Sequence, residues 1–127
     1  SFKPEGDNVN TKCSPRELAI ELCLRRSSCQ VQVAAVISDK KGIFSWGWNN
    51  NGNGKGLCAE KHAILRSNRS RLKGSVLTVA GRRKKSGNWV EAKPCVKRHC
   101  WSLVIKYRFK KVEFTMKTGE WIEIYLS

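Results

Sequence analysis

Long apolar stretches are missing from this chain: no run reaches the roughly 18 residues that a membrane-spanning helix needs. The first residues, SFKPEGDNVNTK, are polar, carry no apolar segment like those of secretory signals and do not begin with methionine. No internal repeat or linker is visible. We therefore expect an intracellular protein, cytoplasmic or nuclear, with no membrane partner. In it, residues 1–12 form a disordered tail or tag remnant and residues 13–127 form a single domain.

Acidic residues are also scarce, because 10 Asp and Glu stand against 25 Lys and Arg and leave a net charge of +15. A surplus of this size is typical of proteins that bind a polyanion, with a merely solubilising surface as the alternative. The cations are clustered in the segments Arg66–Lys73, Arg82–Lys85, Lys93–Cys100 and Lys106–Lys111. This clustering favours nucleic acid as the partner.

Secretory features are lacking, so the six cysteines do not predict a disulfide framework. Cys13, Cys23 and Cys29 show no ligand spacing with one another. Cys23 shares the apolar face of the first predicted helix, where we expect a core thiol.

Local signals predict an alternation of helices and strands. Ser14 as N-cap, Pro15 at the first helical position and Glu17 three residues after the cap predict a first helix. Two strands around the turn DKKG follow, and then the polar loop NNNGNGKG and a helix from near Cys58. The strand SVLTVAG, a basic turn, the helix WSLVIKYR and a final strand, turn and strand or short helix complete the order. We expect an α/β layered domain with a central mixed sheet of about five strands and helices on both faces.

Cys58, Cys95 and Cys100 stand at the starts of two predicted helices and form a plausible zinc site with one coordination position open. The alternative is that all three are core thiols. On a continuous helix from Cys95, Cys100 lies about 140° away and His99 only about 40° away, so His99 is a rival ligand. We expect Cys100 instead, because a Pro-Cys loop that enters a helix near Arg98 lets both sulfurs converge.

These residues resemble the zinc-dependent cytidine deaminase superfamily, whose general signature is H-x-E followed by P-C-x-x-C. The likeness rests on Cys58-Ala59-Glu60 and on Pro94-Cys95 with Cys100. Two intervals depart from the pattern, since 33 residues separate Glu60 from Pro94 and four separate Cys95 from Cys100.

The resemblance extends from about Val31 to Trp121. GWN, at Gly47–Asn49, resembles tRNA adenosine deaminases, whereas CAEKHAI resembles free cytidine deaminases. LVIKYRFKKVEFTMKTGEW resembles the helix and strand that follow the second motif in this superfamily. The resemblance implies a cytidine deaminase-like fold with zinc as the cofactor.

Roles for individual residues follow from the same resemblance. Zinc held by the cysteines lowers the pKa of a bound water to about 7. Glu60 is the expected catalytic proton carrier, the alternative being a solvated glutamate in the first turn of a helix. The Ala59 backbone N–H is expected to face the base carbonyl. Asn49 is expected to contact the nucleotide, unless it is a loop residue in a left-handed conformation.

Aromatic and basic residues near the second motif are the expected contacts to the rest of the substrate. Trp89 lies in a basic arm and Trp101 directly follows Cys100, so both are candidates for stacking a flanking nucleotide, with packing as the alternative. Arg82 and Arg83 belong to the basic cluster expected to line the path of the strand.

The sequence thus predicts a zinc-dependent hydrolytic deaminase that converts cytosine to uracil in single-stranded DNA or RNA. One alternative is an adenosine deaminase of structured RNA such as tRNA. A free-nucleoside deaminase does not account for so basic a surface. The other alternative is a non-catalytic nucleic-acid-binding module with structural zinc, which needs a fourth ligand such as His99.

Overall fold

A computed structural model of the chain describes residues 11–50, 58–95 and 99–126. Five strands form one mixed sheet in the order β2-β1-β3-β4-β5, in which only β3 and β4 run parallel. The elements in chain order are α1 (Pro15–Arg25), β1 (Val31–Asp39), β2 (Gly42–Trp48), α2 (Ala59–Leu65), β3 (Val76–Arg83), α3 (Cys100–Lys106), β4 (Lys111–Thr115) and β5 (Trp121–Tyr125).

The first helix covers one face of this sheet. Ser14 caps α1 by accepting the Glu17 backbone N–H at 3.2 Å, as the sequence predicts. The buried side of α1 includes Leu18, Leu22 and Cys23, and it packs against strand residues that point to the same side: Ala34, Val36, Trp46 and Ala80. The Cys23 thiol donates to the Ala80 carbonyl at 3.0 Å, which makes it a hydrogen-bonded core group.

The other face carries α2 and α3. Because side chains alternate along a strand, Ala35 and Ile37 of β1 point away from α1 and enter a second core with Ala63 of α2 and Val104 of α3. The predictions of a layered α/β domain, about five strands and helices on both faces are confirmed. The element left open as strand or short helix is a strand, β5.

The parallel strands β3 and β4 run from one end of the sheet to the other in the same direction. Val76 and Lys111, the first residues of these strands, lie opposite each other, so both strands start at one end of the sheet. The chain leaves β3 at Arg83 at the other end and reaches α3 at Cys100, after which α3 returns it to the start of β4. Lys73 and the cluster Arg82–Lys85 therefore lie near opposite ends of β3, about 20 Å apart for a strand of this length. The Arg66 guanidinium instead lies over the rings of Trp46 and Trp48 of β2.

Two predicted segments fall mainly outside the described residues, namely the tail over 1–12 and the polar loop NNNGNGKG at 49–56. Within the described ranges, no helix has the length and apolar character required to cross a membrane. The intracellular location stays a prediction.

Candidate metal centre and active site

Three cysteines from separate parts of the sequence meet at one point. Cys58 is the N-cap of α2, Cys95 follows the buried Pro94, and Cys100 is the first residue of α3. Their sulfur atoms all lie within 4.8 Å of one another, and the Cys95 and Cys100 sulfurs are 3.8 Å apart. All three thiols are free of disulfides; Cys100 is buried and Cys95 is the most exposed of them.

The start of α3 explains how two cysteines with four residues between them can converge. The helix begins at Cys100, so Cys95 is not a helical residue and the rotation of a continuous helix does not apply. The Trp101 backbone N–H donates to the Cys95 carbonyl at 3.1 Å and ties the Pro-Cys segment to the first turn. His99 is the N-cap, exposed and left-handed at φ 64°, and it is not part of the sulfur cluster.

The sulfur cluster fits zinc. Tetrahedral zinc with Zn–S bonds of about 2.3 Å places its sulfurs about 3.8 Å apart, which matches the separation of Cys95 and Cys100. Among the described residues, no fourth side chain joins the group, so one coordination position stays open to a small ligand. Three protein ligands with an open position are typical of catalytic zinc sites, whereas structural zinc sites almost always have four protein ligands.

The three neighbouring thiols can all be deprotonated at once only if a cation lies among them. Burial raises the pKa of the Cys100 thiol, and the nearby Glu60 carboxylate and Cys58 sulfur raise it further. A divalent cation among the three sulfurs opposes these effects, because it stabilises thiolates directly. Metal binding and thiol deprotonation are therefore coupled at this site.

Glu60 is the second residue of α2 and is only 6% exposed. Burial raises the pKa of its carboxyl, and the Lys61 charge and a backbone hydrogen bond act in the opposite direction. Because its charge acts on Cys100, Glu60 lies beside the sulfur cluster rather than on a solvated helix face. A buried carboxyl with a raised pKa is a suitable candidate for a general acid–base group.

The position of α2 depends on a close contact with β2 that sequence reasoning missed. A Cβ atom on Gly47 would lie 2.5 Å from the Ala63 backbone nitrogen and 2.9 Å from the Ala59 carbonyl oxygen. The Ser45 hydroxyl donates to the Ala63 carbonyl at 2.6 Å and fixes the same contact. A glycine inside a strand pattern is the signal that could have indicated a close backbone approach.

Asn49 and Ala59 occupy different environments. Ala59, the first residue of α2, is fully buried next to Cys58. The Asn49 carboxamide bonds to the backbone of β1: Oδ1 accepts from the Val33 N–H at 3.0 Å and Nδ2 donates to the Val31 carbonyl at 2.8 Å. Asn49 is not one of the left-handed residues of the described chain, which are His99 and Arg108 besides glycines.

The two arginines at the end of β3 point to opposite faces of the sheet. Arg83 lies opposite Val31, whose side chain is on the face of α2 and α3, and it is exposed. Arg82 lies on the α1 face, and its buried Nε atom has no hydrogen-bond partner among the described residues. Sequence adjacency therefore does not bring the two guanidinium groups to one surface.

Trp89 and Trp101 are both partly buried. Trp89 forms a β-bridge with Arg82, and its indole lies 3.0 Å from where a Cβ atom on Gly119 would stand. Trp89 also lines a cavity of about 620 Å³ together with Arg83 and Lys117. Trp101 packs against the α2–α3 core, and the Lys93 ammonium lies 5.3 Å from its ring centroid.

With this geometry in place, the chain can be compared with known proteins. Residues 11–116 match the sequence pattern of the cytidine and deoxycytidylate deaminase zinc-binding region. The chain belongs to this family. This match confirms three predictions: the zinc-dependent cytidine deaminase superfamily, the deaminase fold and zinc as the cofactor. Membership of the family also supports the prediction of a zinc-dependent cytidine deaminase, which is a hydrolase of amidine C–N bonds.

Solved structures with the same fold include the cytidine deaminase from Burkholderia pseudomallei, with a TM-score of 0.64 and 19% identity over 87% of this chain and 89% of that one. The dCMP deaminase from the cyanophage S-TIM5 has a TM-score of 0.60 and 23% identity, over 82% of this chain and 81% of that one. The cytidine deaminase from Mycobacterium leprae has a TM-score of 0.56 and 18% identity, over 85% of this chain and 88% of that one. At these identities the likeness is one of fold. No curated protein matches the chain.

Proposed function

We propose that the protein is a zinc-dependent hydrolytic deaminase that converts cytosine to uracil within single-stranded DNA or RNA. The observation that carries the proposal is the open three-sulfur site of Cys58, Cys95 and Cys100 beside the buried carboxyl of Glu60. A structural zinc would need a fourth protein ligand, and His99 is outside the cluster. The non-catalytic alternative is therefore the weaker one.

Glu60 carries the protons of the reaction. Zinc, when bound, supplies the Lewis acidity that makes a water molecule nucleophilic at neutral pH. Glu60 takes a proton from that water and delivers it to the ring nitrogen N3 as the oxygen bonds to C4. It then takes the proton of the new C4 hydroxyl and transfers it to the amino group, and the C4–N bond breaks as the C4 carbonyl forms and ammonia leaves. Water and cytosine thus give uracil and ammonia, with Glu60 returned to its starting state.

The other predicted residues take substrate-positioning roles in this proposal. The Ala59 N–H, at the start of α2, faces the base carbonyl, and the second Nδ2 hydrogen of Asn49 is available to the nucleotide. Trp101, next to Cys100, and Trp89 are placed to stack flanking bases. Arg83 lies on the face of the metal centre, so we assign it a larger share of phosphate binding than Arg82.

A polynucleotide substrate is favoured by charge. The net charge of +15 in 127 residues far exceeds what a small neutral nucleoside requires, whereas a phosphodiester chain is held mainly by such cations. The cavity lined by Trp89, Arg83 and Lys117 combines an aromatic ring with two cations, a combination typical of single-strand binding sites, and Glu91 adds one carboxylate to its lining.

A second candidate is a deaminase of free cytidine or deoxycytidylate. Its support is that the solved structures of the same fold are named as cytidine and dCMP deaminases. The metal centre and Glu60 would perform the same chemistry on either substrate, so the two candidates differ only in what the surrounding surface binds.

Sequencing after incubation with single-stranded DNA, single-stranded RNA and tRNA tests the proposal, with Glu60→Gln as the inactive control. We expect cytosine-to-uracil changes in a single-stranded substrate and none with the control. Changes from adenosine to inosine in tRNA would identify the adenosine deaminase instead. Turnover of cytidine or dCMP alone would identify the small-molecule enzyme.

A further inference from the structure

A cavity of about 440 Å³ lies at the amino-terminal ends of β3 and β4, the end of the sheet away from Arg83. Three cations line it, Lys73 from the α2–β3 connection and Arg108 and Lys110 from the α3–β4 connection, and no lining residue is acidic. All three are exposed, and none forms an ion pair with a carboxylate in the described ranges. We refer to this cavity as the Lys73–Arg108–Lys110 pocket.

These unpaired cations contrast with other basic residues of the same domain. Arg71, only two residues before Lys73, contacts Asp39 at 2.7 Å, and Lys111, directly after Lys110, contacts Glu123 at 3.2 Å. Arg71 and Lys111 are thus neutralised within the fold. The cations of the pocket are left with positive charge directed at solvent, which an external anion can neutralise.

The pocket is fixed by the backbone. The Gly74 N–H donates to the Arg108 carbonyl at 2.8 Å, and the Lys110 N–H donates to the Ser75 carbonyl at 2.9 Å. These two bonds join the two connections into one unit. Arg108 is held there in the left-handed conformation at φ 57°, which is costly for a residue other than glycine.

Apolar side chains complete the pocket between the cations. Val104 and Phe109 are buried at its base, Leu126 is partly buried, and Ile105 is 54% exposed at its edge. A ligand that fits must therefore combine negative charge with a flat apolar group. A nucleotide has both, and the volume lies within the range of nucleotide-sized ligand sites.

We propose that the Lys73–Arg108–Lys110 pocket binds a nucleotide of the polynucleotide substrate that lies several positions from the target base. The inference rests on the proposed function for the identity of the ligand. Helix α3 connects the two sites, since it begins at Cys100 in the metal centre and ends at Lys106, about 10 Å further on for seven residues. A single-stranded nucleic acid that runs along α3 can occupy both sites at once, whereas a single acidic side chain of a protein partner cannot.

The test compares two variants that remove the same number of charges. The pocket variant carries Lys73→Gln, Arg108→Gln and Lys110→Gln; the control variant carries Arg25→Gln, Lys40→Gln and Lys41→Gln, all exposed and outside the pocket. Zinc content and thermal stability verify that both are folded. Binding and deamination are measured across a salt series with a long labelled single strand of about 16 nucleotides, the upper range of single-strand site sizes. The short strand is a dinucleotide, which cannot reach from the target base to the pocket.

We expect the pocket variant to bind the long strand at least about tenfold more weakly than the control variant. Its log-log salt slope should fall by about 0.7 to 1.4, since each lost phosphate contact removes about 0.7 and one nucleotide has a phosphate on each side. Binding and deamination of the short strand should match the parent protein. If the triple variant does not fold, Lys73→Gln and Lys110→Gln are tested singly, each with about a threefold loss expected.

Two different failures can be told apart. In the first, the pocket and control variants have equal affinities and salt slopes while the parent protein deaminates the long strand. This result would contradict nucleotide binding at the pocket and leave the proposed function intact. A parent that binds neither strand but deaminates free cytidine would overturn both the polynucleotide substrate and the pocket.

Discussion

The sulfur atoms of Cys95 and Cys100 lie 3.8 Å apart, although four residues separate them in the sequence. This distance is achieved because α3 starts only at Cys100, and the preceding residue, His99, turns the chain in a left-handed conformation. Cys95 therefore lies outside the helix that begins at Cys100, and helical rotation does not determine the separation of the two sulfurs. A longer interval than the two residues of the general signature is compatible with the same metal geometry.

The first prediction concerns zinc content. We expect one zinc per chain, lost in Cys58→Ser, Cys95→Ser and Cys100→Ser and retained in His99→Ala, because only the three sulfurs converge. Metal analysis of the purified variants measures this directly. Retained zinc in Cys100→Ser together with loss in His99→Ala would show that histidine is the third ligand.

The second prediction concerns Glu60. Glu60→Gln keeps the side-chain volume but cannot carry a proton, so zinc content and fold should be unchanged. Turnover should fall by more than the 10²- to 10⁴-fold that is typical of general acid–base groups, because this residue serves several proton transfers. Steady-state kinetics with zinc-loaded protein tests the prediction, and activity within about tenfold of the parent would remove Glu60 from the mechanism.

The third prediction concerns the contact between β2 and α2. Gly47→Ala places a methyl group 2.5 Å from the Ala63 nitrogen, so α2 must move and carry Cys58 with it. We expect a loss of about 2 kcal/mol in the free energy of unfolding, as for other overpacked sites, and weaker zinc retention against a chelator. Ser102→Ala, at an exposed position of α3, is the control and should change stability by less than about 0.5 kcal/mol. Equal stability of the two variants would contradict the contact.

The fourth prediction concerns pH. Arg71 bonds to both carboxylate oxygens of Asp39, at 2.7 and 3.0 Å, and this lowers the pKa of Asp39. A lowered pKa means that the stabilisation is present above the unfolded value of about 3.9 and is lost as the pH falls through the folded value. Asp39→Asn should therefore cost about 1 kcal/mol at pH 7 and progressively less below about pH 4. Denaturant titrations across this range check it, and a difference that does not change with pH would show that the ion pair is not its source.

Local features of the fold could be predicted from the sequence because each depends on neighbouring residues. The Ser14 cap, the β1–β2 hairpin and the start of α2 at Cys58 are of this kind. The cysteine cluster could also be predicted, since the residue types at two helix starts restrict the chemistry of the site.

Other features depend on contacts between distant segments and could not be predicted locally. The bonds from Asn49 to β1 require the pairing of β1 and β2. Arg82 and Arg83 face opposite sides because β3 continues through both residues by pairing with β1, beyond the predicted strand SVLTVAG. The direction of β3 also could not be predicted locally, and it places Lys73 near the start of this strand and Arg82 and Arg83 at its end.

The substrate is tested most directly by measuring deamination of a cytosine-containing single strand and of free cytidine across a salt series, with Glu60→Gln as the blank. A polynucleotide deaminase should convert the strand efficiently at low salt and lose activity steeply as salt rises, because phosphate contacts are displaced by counterions. Free cytidine should react slowly at every salt concentration. Rapid, salt-insensitive turnover of cytidine with none of the strand would contradict the account of the substrate, while leaving the zinc chemistry of Cys58, Cys95, Cys100 and Glu60 intact.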